Sequence, residues 1–189
     1  MIRRDGAIAA RPLMPRNVEV KVRVDELEAL RRRALALGAS DEGVIHQIDT
    51  YFATPPERGA RLKLREQRPG SGELIAYRRP DSGGLRTSDY RVITVRNLPA
   101  LRDALTTALG VAGRIEKTRR LLRHGRTRIH LDRVQGLGNF LELEVVLVED
   151  ETPDTGEREA ERILAQLGLA HAPRLPGSYR DEMAAAAPR

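Results

Sequence analysis

The stretch Arg128–Asp150, RIHLDRVQGLGNFLELEVVLVED, decides how this chain folds. It reads as two β-strands, Thr127–Val134 and Phe140–Val148, joined by a glycine turn over Gln135–Asn139. Side chains alternate faces along a strand. Arg128, His130 and Asp132 therefore share one face of the first strand. Phe140, Glu142 and Glu144 share one face of the second, with Leu141, Leu143 and Val145 on the other. The hairpin thus carries carboxylates and basic partners on one side and is largely aliphatic on the other. Gly136 and Gly138 supply the left-handed backbone such a turn needs. With no following helix and no Walker lysine, they do not form a phosphate loop.

The same design recurs along the chain. Asn17–Val24 (NVEVKVRV) sets Asn17, Glu19, Lys21 and Arg23 against a row of valines. Ala60–Gln67 sets Arg61, Lys63 and Arg65 against Leu62 and Leu64, and Arg114–Arg123 groups Lys117, Arg119 and Leu121. Gly43–Ala53, Glu73–Arg79 and Ser88–Val95 complete eight predicted strands. Three amphipathic segments read as helices. The first starts at Asp25, with Asp25 and Glu28 spaced as a capping box, and ends at Gly38. The second spans Pro99–Leu109, and the third spans Glu157–Leu167 after Thr155-Gly156. The Arg31–Arg33 run reads as a solvated helix face. Short connections suit antiparallel pairing.

The chain of 189 residues accommodates one domain, placed at 16–183, with residues 1–15 and 184–189 reading as disordered tails. Cysteine is absent, which excludes disulfides, thiolate metal sites and a cysteine nucleophile. No apolar run approaches the roughly 20 residues of a membrane helix, and the basic N-terminus lacks the apolar core of a signal peptide. The expected location is the cytoplasm. The net charge of +6 points to polyanionic ligands. Aromatics at 3% argue against a base-stacking platform, so nucleic acid is the disfavoured partner. The oligomeric state stays open, a homodimer included.

Strands with one long-charged face and one aliphatic face fit an inverted barrel. The charged faces point into a polar tunnel and the aliphatic faces lie under the helices. Lysines and arginines lining such a tunnel call for a polyanion, since they would otherwise repel one another. Glu142 and Glu144 point the same way, and with Glu19 they offer the oxygen ligands that suit Mg²⁺ or Mn²⁺. Basic residues with a divalent metal are equipment for phosphoryl or nucleotidyl transfer. His130 and His46 read as packing residues, Tyr179 as an anchor for the C-terminal segment, and Ser178 lacks the partners of a nucleophile.

Eight segments carry a family resemblance: RNVEVKVRV (16–24), QIDTYF (47–52), RLKLRE (61–66), LIAYRRPD (74–81), SDY (88–90), IEKTRR (115–120), RIHLDRVQGLGNFLELE (128–144) and GSYRD (177–181). In that order they resemble the CYTH superfamily, the triphosphate tunnel metalloenzymes. That superfamily includes class IV adenylyl cyclases, thiamine triphosphatases and inorganic triphosphatases. The resemblance implies an α+β fold: an eight-stranded antiparallel closed β-barrel, or tunnel, with a charged interior and about three flanking helices. It implies that Lys21, Lys63, Arg65, Arg79, Lys117, Arg119 and Arg128 grip a triphosphate, with Arg86 a further candidate. Arg78 is the alternative to Arg79, since alternation turns only one of them inward. It gives metal to Glu19, Glu142 and Glu144, with Asp132 nearby as a metal or lysine partner. Lys21, Glu142 and Glu144 become the catalytic candidates. One departure stands out: the family's Glu-x-Glu-x-Lys reads Asn17-Val18-Glu19-Val20-Lys21 here, putting a neutral, weaker ligand at Asn17.

Four functions follow in order. The first is a Mg²⁺- or Mn²⁺-dependent cyclase that converts ATP to cyclic AMP and pyrophosphate. The HLDRVQGLGNFLELE and LIAYRRPD segments most resemble that subgroup. The second is a triphosphatase acting on tripolyphosphate, thiamine triphosphate or a nucleotide. The third is a non-catalytic binder of polyphosphate or nucleotide, and the last is a nucleic-acid binder.

Overall fold

The computed structural model describes residues 16–68, 70–78 and 86–186, apart from the side chains at 58, 68 and 86–89. Residues 1–15, including the expected N-terminal tail, lie outside the described residues. Eight strands form in chain order: β1 (Arg16–Val24), β2 (Ser40–Phe52), β3 (Ala60–Arg68), β4 (Ser71–Arg78), β5 (Arg86–Val95), β6 (Val111–His124), β7 (Thr127–Val134) and β8 (Gly138–Leu147). The helices are α1 (Leu27–Ala36), α2 (Leu98–Leu109), α3 (Pro153–Gln166) and α4 (Tyr179–Ala186). All pairings are antiparallel, in the order β1-β5-β4-β3-β2-β6-β7-β8. β1 pairs with β5 along Arg16–Glu19 and with β8 along Arg16–Val24, so each of the eight strands has two neighbours. No helix among the described residues is long and apolar enough to cross a membrane.

Alternation along these strands produces two unlike faces. On β1, Val18, Val20 and Val22 point outward and are at most 2% exposed. They join Leu122, Ile129, Leu131, Leu141, Leu143 and Val145 in the main core, beneath Leu30 and Ala34 of α1 and Ala160, Ile163 and Leu164 of α3. Aliphatic burial of this kind contributes about 25 cal/mol per Å², and here it lies between the sheet's aliphatic face and the helices. A smaller cluster of Tyr51, Ile115, Val134, Leu137, Phe140 and Tyr179 packs with Leu175 and Met183 of the C-terminal segment. Cover is uneven: α2 buries no residue, and Ile93 and Val44 stay exposed.

Three expectations about helices are corrected. α1 forms without the Asp25/Glu28 capping box: its N-cap is Glu26 and no side chain caps it. α3 begins at Pro153, not Glu157, and contains Gly156. A Cβ at Gly156 would lie 2.8 Å from both Val18 and Leu147, so this glycine marks close helix–sheet contact, not a break. The alanine-rich end, expected to be disordered from 184, is helical through Ala186. Its signal was present in the sequence. The Ser178 hydroxyl accepts from Asp181 N (3.3 Å), and the Asp181 carboxylate accepts from Ser178 N (2.8 Å), a reciprocal cap at the start of α4.

Candidate active site

The inward faces of the strands line a cavity of about 390 Å³. All three lysines of the chain, Lys21, Lys63 and Lys117, lie on its wall. Arg65, Arg119 and Arg128 join them, as do Glu19, Asp49, Glu73, Glu142 and Glu144. Period-2 alternation accounts for the placement: Lys63 and Arg65 are two apart on β3, Lys117 and Arg119 on β6, Glu142 and Glu144 on β8. Arg78 is exposed, on the face opposite the inward-facing Tyr77. Arg79 lies outside the described residues, and Arg86 is described only as backbone, paired with Glu19.

Each Lys-x-Arg pair is held by an aspartate on a neighbouring strand. Asp49 of β2 accepts from Lys63 Nζ (2.9 Å) and from Arg65 Nε and Nη2 (2.8 and 2.9 Å). Asp132 of β7 accepts from Lys117 Nζ (2.9 Å) and from Arg119 Nε and Nη2 (2.7 and 2.6 Å). Arg119 Nη2 also reaches Glu142 Oε2 at 2.8 Å, Lys21 Nζ lies 3.4 Å from Glu142 Oε1, and Arg128 pairs with Glu144 Oε2 at 2.7 Å. The repulsion expected of a cationic interior is therefore relieved by the protein's own carboxylates, without a ligand. Asp132, expected beside the metal, has its oxygens held by these bases and by the Tyr179 hydroxyl, which donates to Oδ2 at 2.9 Å.

Burial and charge together set the protonation states. Burial opposes ionisation of Asp49, but Arg65 and Lys63 hold its pKa well below the usual carboxylate range. Burial likewise opposes charge on Asp132, and Arg119 and Lys117 outweigh it. Glu142 is kept well below its ordinary value by Lys21 and Arg119, again against burial. Lys117 goes the other way: burial, reinforced by Arg119 and only partly offset by Asp132, lowers its pKa to about 7. Burial also lowers His130, with Arg119 adding to the effect.

His130 Nδ1, Glu142 and Glu144 offer ligand atoms within 4.8 Å of one another, the one such trio among the described residues. Glu19, assigned to the same cluster from sequence, pairs across from Glu144 on β1 but is not part of the trio. Asn17 is buried at 2% exposure, and its Oδ1 has no hydrogen-bond partner. Two adjacent carboxylates and an orphaned amide oxygen nearby are donors that fit a hard divalent cation.

Other site residues escaped the sequence reading. Asp49 lay within a motif but was given no role. Its parity with the inward-facing Gln47 and Tyr51 on one strand was the available signal. Tyr179 does more than anchor the C-terminal segment. Its ring packs edge-on to Phe140 at 5.0 Å, and Lys21 Nζ and Lys117 Nζ sit 3.9 and 4.9 Å from the ring centroid. Part of the wall is not ionic. Tyr77 pairs across from Tyr90, and Ile75 from Val92, on β4 and β5. His46, by contrast, contacts Thr118 away from the cavity, at 3.2 Å.

Solved structures with this architecture include the PH1012 protein of Pyrococcus horikoshii, 24% identical with a TM-score of 0.77 over 87% of this chain and 98% of that one. A proposed adenylate cyclase of Vibrio parahaemolyticus is 24% identical with a TM-score of 0.74, over 91% of this chain and 99% of that one. The mimivirus capping enzyme triphosphatase is 11% identical with a TM-score of 0.50, over 81% and 89%. At these identities the likeness is one of fold. Among curated protein sequences, none matches significantly. The CYTH domain family model matches residues 15–179, nearly the whole described chain, and on that match the chain belongs to the CYTH domain family.

Proposed function

We propose that this protein is a divalent-metal-dependent enzyme acting on a triphosphate held in a tunnel between the strands, a closure that the two β1 pairings support. The observation that carries this reading is the pair of aspartate-held Lys-x-Arg motifs, Lys63/Arg65 and Lys117/Arg119, on the two strands flanking β2. Guanidinium groups bind phosphate oxygens through two parallel bonds, and ammonium groups act as point charges. Lys21 and Arg128 extend the basic surface on either side of Glu142 and Glu144. The expected grip of Arg79 and Arg86 on the substrate stays part of this proposal.

Glu142 and Glu144, with Glu19 on the adjacent strand, would hold Mg²⁺ or Mn²⁺. Bound there, such an ion supplies positive charge to phosphate oxygens at the reacting centre. The protein's own groups do the positioning. Phosphoryl and nucleotidyl transfer need the nucleophile in line with the leaving oxygen, and cations fixed in place by Asp49 and Asp132 hold the phosphates still for that alignment. Lys21, which contacts Glu142 and faces the cavity, would neutralise the leaving group.

The first reading of the reaction is class IV adenylyl cyclase-like. The 3′-hydroxyl of ATP attacks the α-phosphorus and pyrophosphate leaves. The Tyr77/Tyr90 and Ile75/Val92 wall supports a substrate with an organic group, since bare tripolyphosphate has no use for apolar surface. The second reading is a triphosphatase, in which water attacks the terminal phosphorus within the same site. Product identification separates them. With ATP or tripolyphosphate and Mg²⁺ or Mn²⁺, cyclic AMP plus pyrophosphate supports the cyclase and orthophosphate the triphosphatase. Saturable binding without turnover identifies a binder, and neither binding nor turnover overturns the proposal.

A further inference from the structure

His130 stands on β7 directly across from Glu142 on β8. Its Nδ1 lies 3.6 Å from Glu142 Oε2 and 3.8 Å from Glu144 Oε1. Both separations are too long for a hydrogen bond. The residue is 4% exposed, and Nδ1 has no hydrogen-bond partner. Buried ring nitrogens are ordinarily paired, so an unpaired one aimed between two carboxylates calls for an explanation.

A shared ion gives one. Donors about 2.1–2.2 Å from a common ion stand roughly 3.0 Å apart at a right angle and about 3.5 Å apart at a tetrahedral angle. The His130–Glu142 and His130–Glu144 gaps are slightly wider than this and close with small side-chain rotations. The surrounding groups leave these atoms in place. Arg128 occupies Oε2 of Glu144, so Oε1 is the oxygen that faces His130. Arg119 touches the Glu142 oxygen that faces His130, at 2.8 Å, and fixes that carboxylate's orientation. Such outer contacts typically orient the ligands of a metal.

We infer that His130 Nδ1 is a nitrogen ligand completing the Glu142–Glu144 site, and that it makes the site select Mn²⁺ over Mg²⁺. This rests on the reading of Glu142 and Glu144 as metal ligands. Mg²⁺ takes oxygen donors and tolerates little deviation from octahedral geometry, whereas imidazole suits transition ions. A site built from carboxylates alone would show a weaker bias. His130 and Glu142 face each other across one strand pair with Glu144 two residues on, so the three donors cluster on one wall. The three donors line the cavity, from which water or phosphate oxygens would complete an ion's coordination.

The test is direct metal binding, independent of turnover. The EDTA-treated protein is titrated with Mn²⁺ and the free ion is followed by electron paramagnetic resonance. Mg²⁺ affinity comes from competition, and the wild type is compared with His130→Ala and Glu144→Gln. His130→Ala is expected to weaken Mn²⁺ binding by about tenfold or more while changing Mg²⁺ binding far less. Glu144→Gln is expected to weaken both. Unchanged Mn²⁺ affinity and selectivity in folded His130→Ala overturns the assignment, and the carboxylate site survives if Glu144→Gln still binds weakly. If neither variant shifts either ion, both readings fail. Should His130→Ala not fold, the wild-type Mn²⁺ complex decides: electron spin echo modulation from a coordinated imidazole nitrogen supports the ligand, and its absence removes it.

Discussion

Lys117 donates to Asp132 across 2.9 Å, with both side chains almost completely shut off from solvent. Arg119 and Tyr179 complete the set around the same carboxylate. Removing one partner of a buried ion pair leaves uncompensated charge behind, at a cost of about 3–5 kcal/mol. Asp132→Ala is expected to lose stability on that scale in urea denaturation. Asp49→Ala should lose less, roughly 1.5–3 kcal/mol, because Lys63 and Arg65 retain 14% and 15% exposure and can rehydrate. Equal losses at the two positions would contradict this difference in burial.

Burial, with the Arg119 guanidinium beside it, brings the Lys117 pKa down to about 7. A free lysine titrates near 10.5. Between these values the unfolded chain holds a proton that the native protein has released, so this group's contribution to stability rises with pH over that interval. Ligand binding has the opposite sign. Triphosphate affinity should weaken as pH rises above about 7, where Lys117 loses the charge that would meet a phosphate. Calorimetric titrations from about pH 6 to about pH 9, bracketing the native value of about 7, would show it. Lys117→Arg, always protonated, should flatten the slope. A profile identical to wild type removes Lys117 from phosphate contact.

Glu142 has one oxygen near Lys21 and the other bonded to Arg119. Glu142→Gln keeps the shape and removes the charge. Arg119 retains its two bonds to Asp132, so the wall should stay folded. Metal-dependent turnover is expected to fall on the order of 10²-fold or more, with little change in the circular dichroism spectrum. Full activity in this variant would take the carboxylate out of the site.

Asn17 presents a buried carbonyl oxygen without a partner, beside Glu19. Asn17→Glu adds an anionic oxygen where the family pattern has one. Divalent-metal affinity should tighten by roughly tenfold, and the metal-free variant should melt below wild type because its new carboxylate is buried without a cation. Paired melting curves with and without Mn²⁺ read both effects. No change in the metal-induced shift would place Asn17 outside the metal's reach.

Much of this architecture is legible in alternation alone. Thr127–Val134 forms over the predicted residues, and the valines of β1 take the outward face assigned to them. Lys21, Lys63, Arg65, Lys117, Arg119 and Arg128 follow from parity, as does the outward Arg78. What parity cannot supply is which strand lies beside which. Asp49 acquires its partners only when β2 pairs with β3, and His130 faces Glu142 only through the β7–β8 register. The inclusion of Gly156 in α3 depends on the Val18 and Leu147 surface it touches, which is distant in sequence. The Ser178/Asp181 cap was written locally and could have been read.

The aspartates that hold the Lys-x-Arg pairs also shape what happens when a ligand arrives. Long basic side chains ordinarily lose considerable rotamer freedom on capturing an anion. Lys63, Arg65, Lys117 and Arg119 are immobilised before any ligand enters, so that entropic loss has already been taken during folding. A phosphate must then share these cations with Asp49 and Asp132, which lowers the depth of the well it falls into. Under the proposed function, cations held this way would orient a bound triphosphate sharply without holding its products too tightly to release.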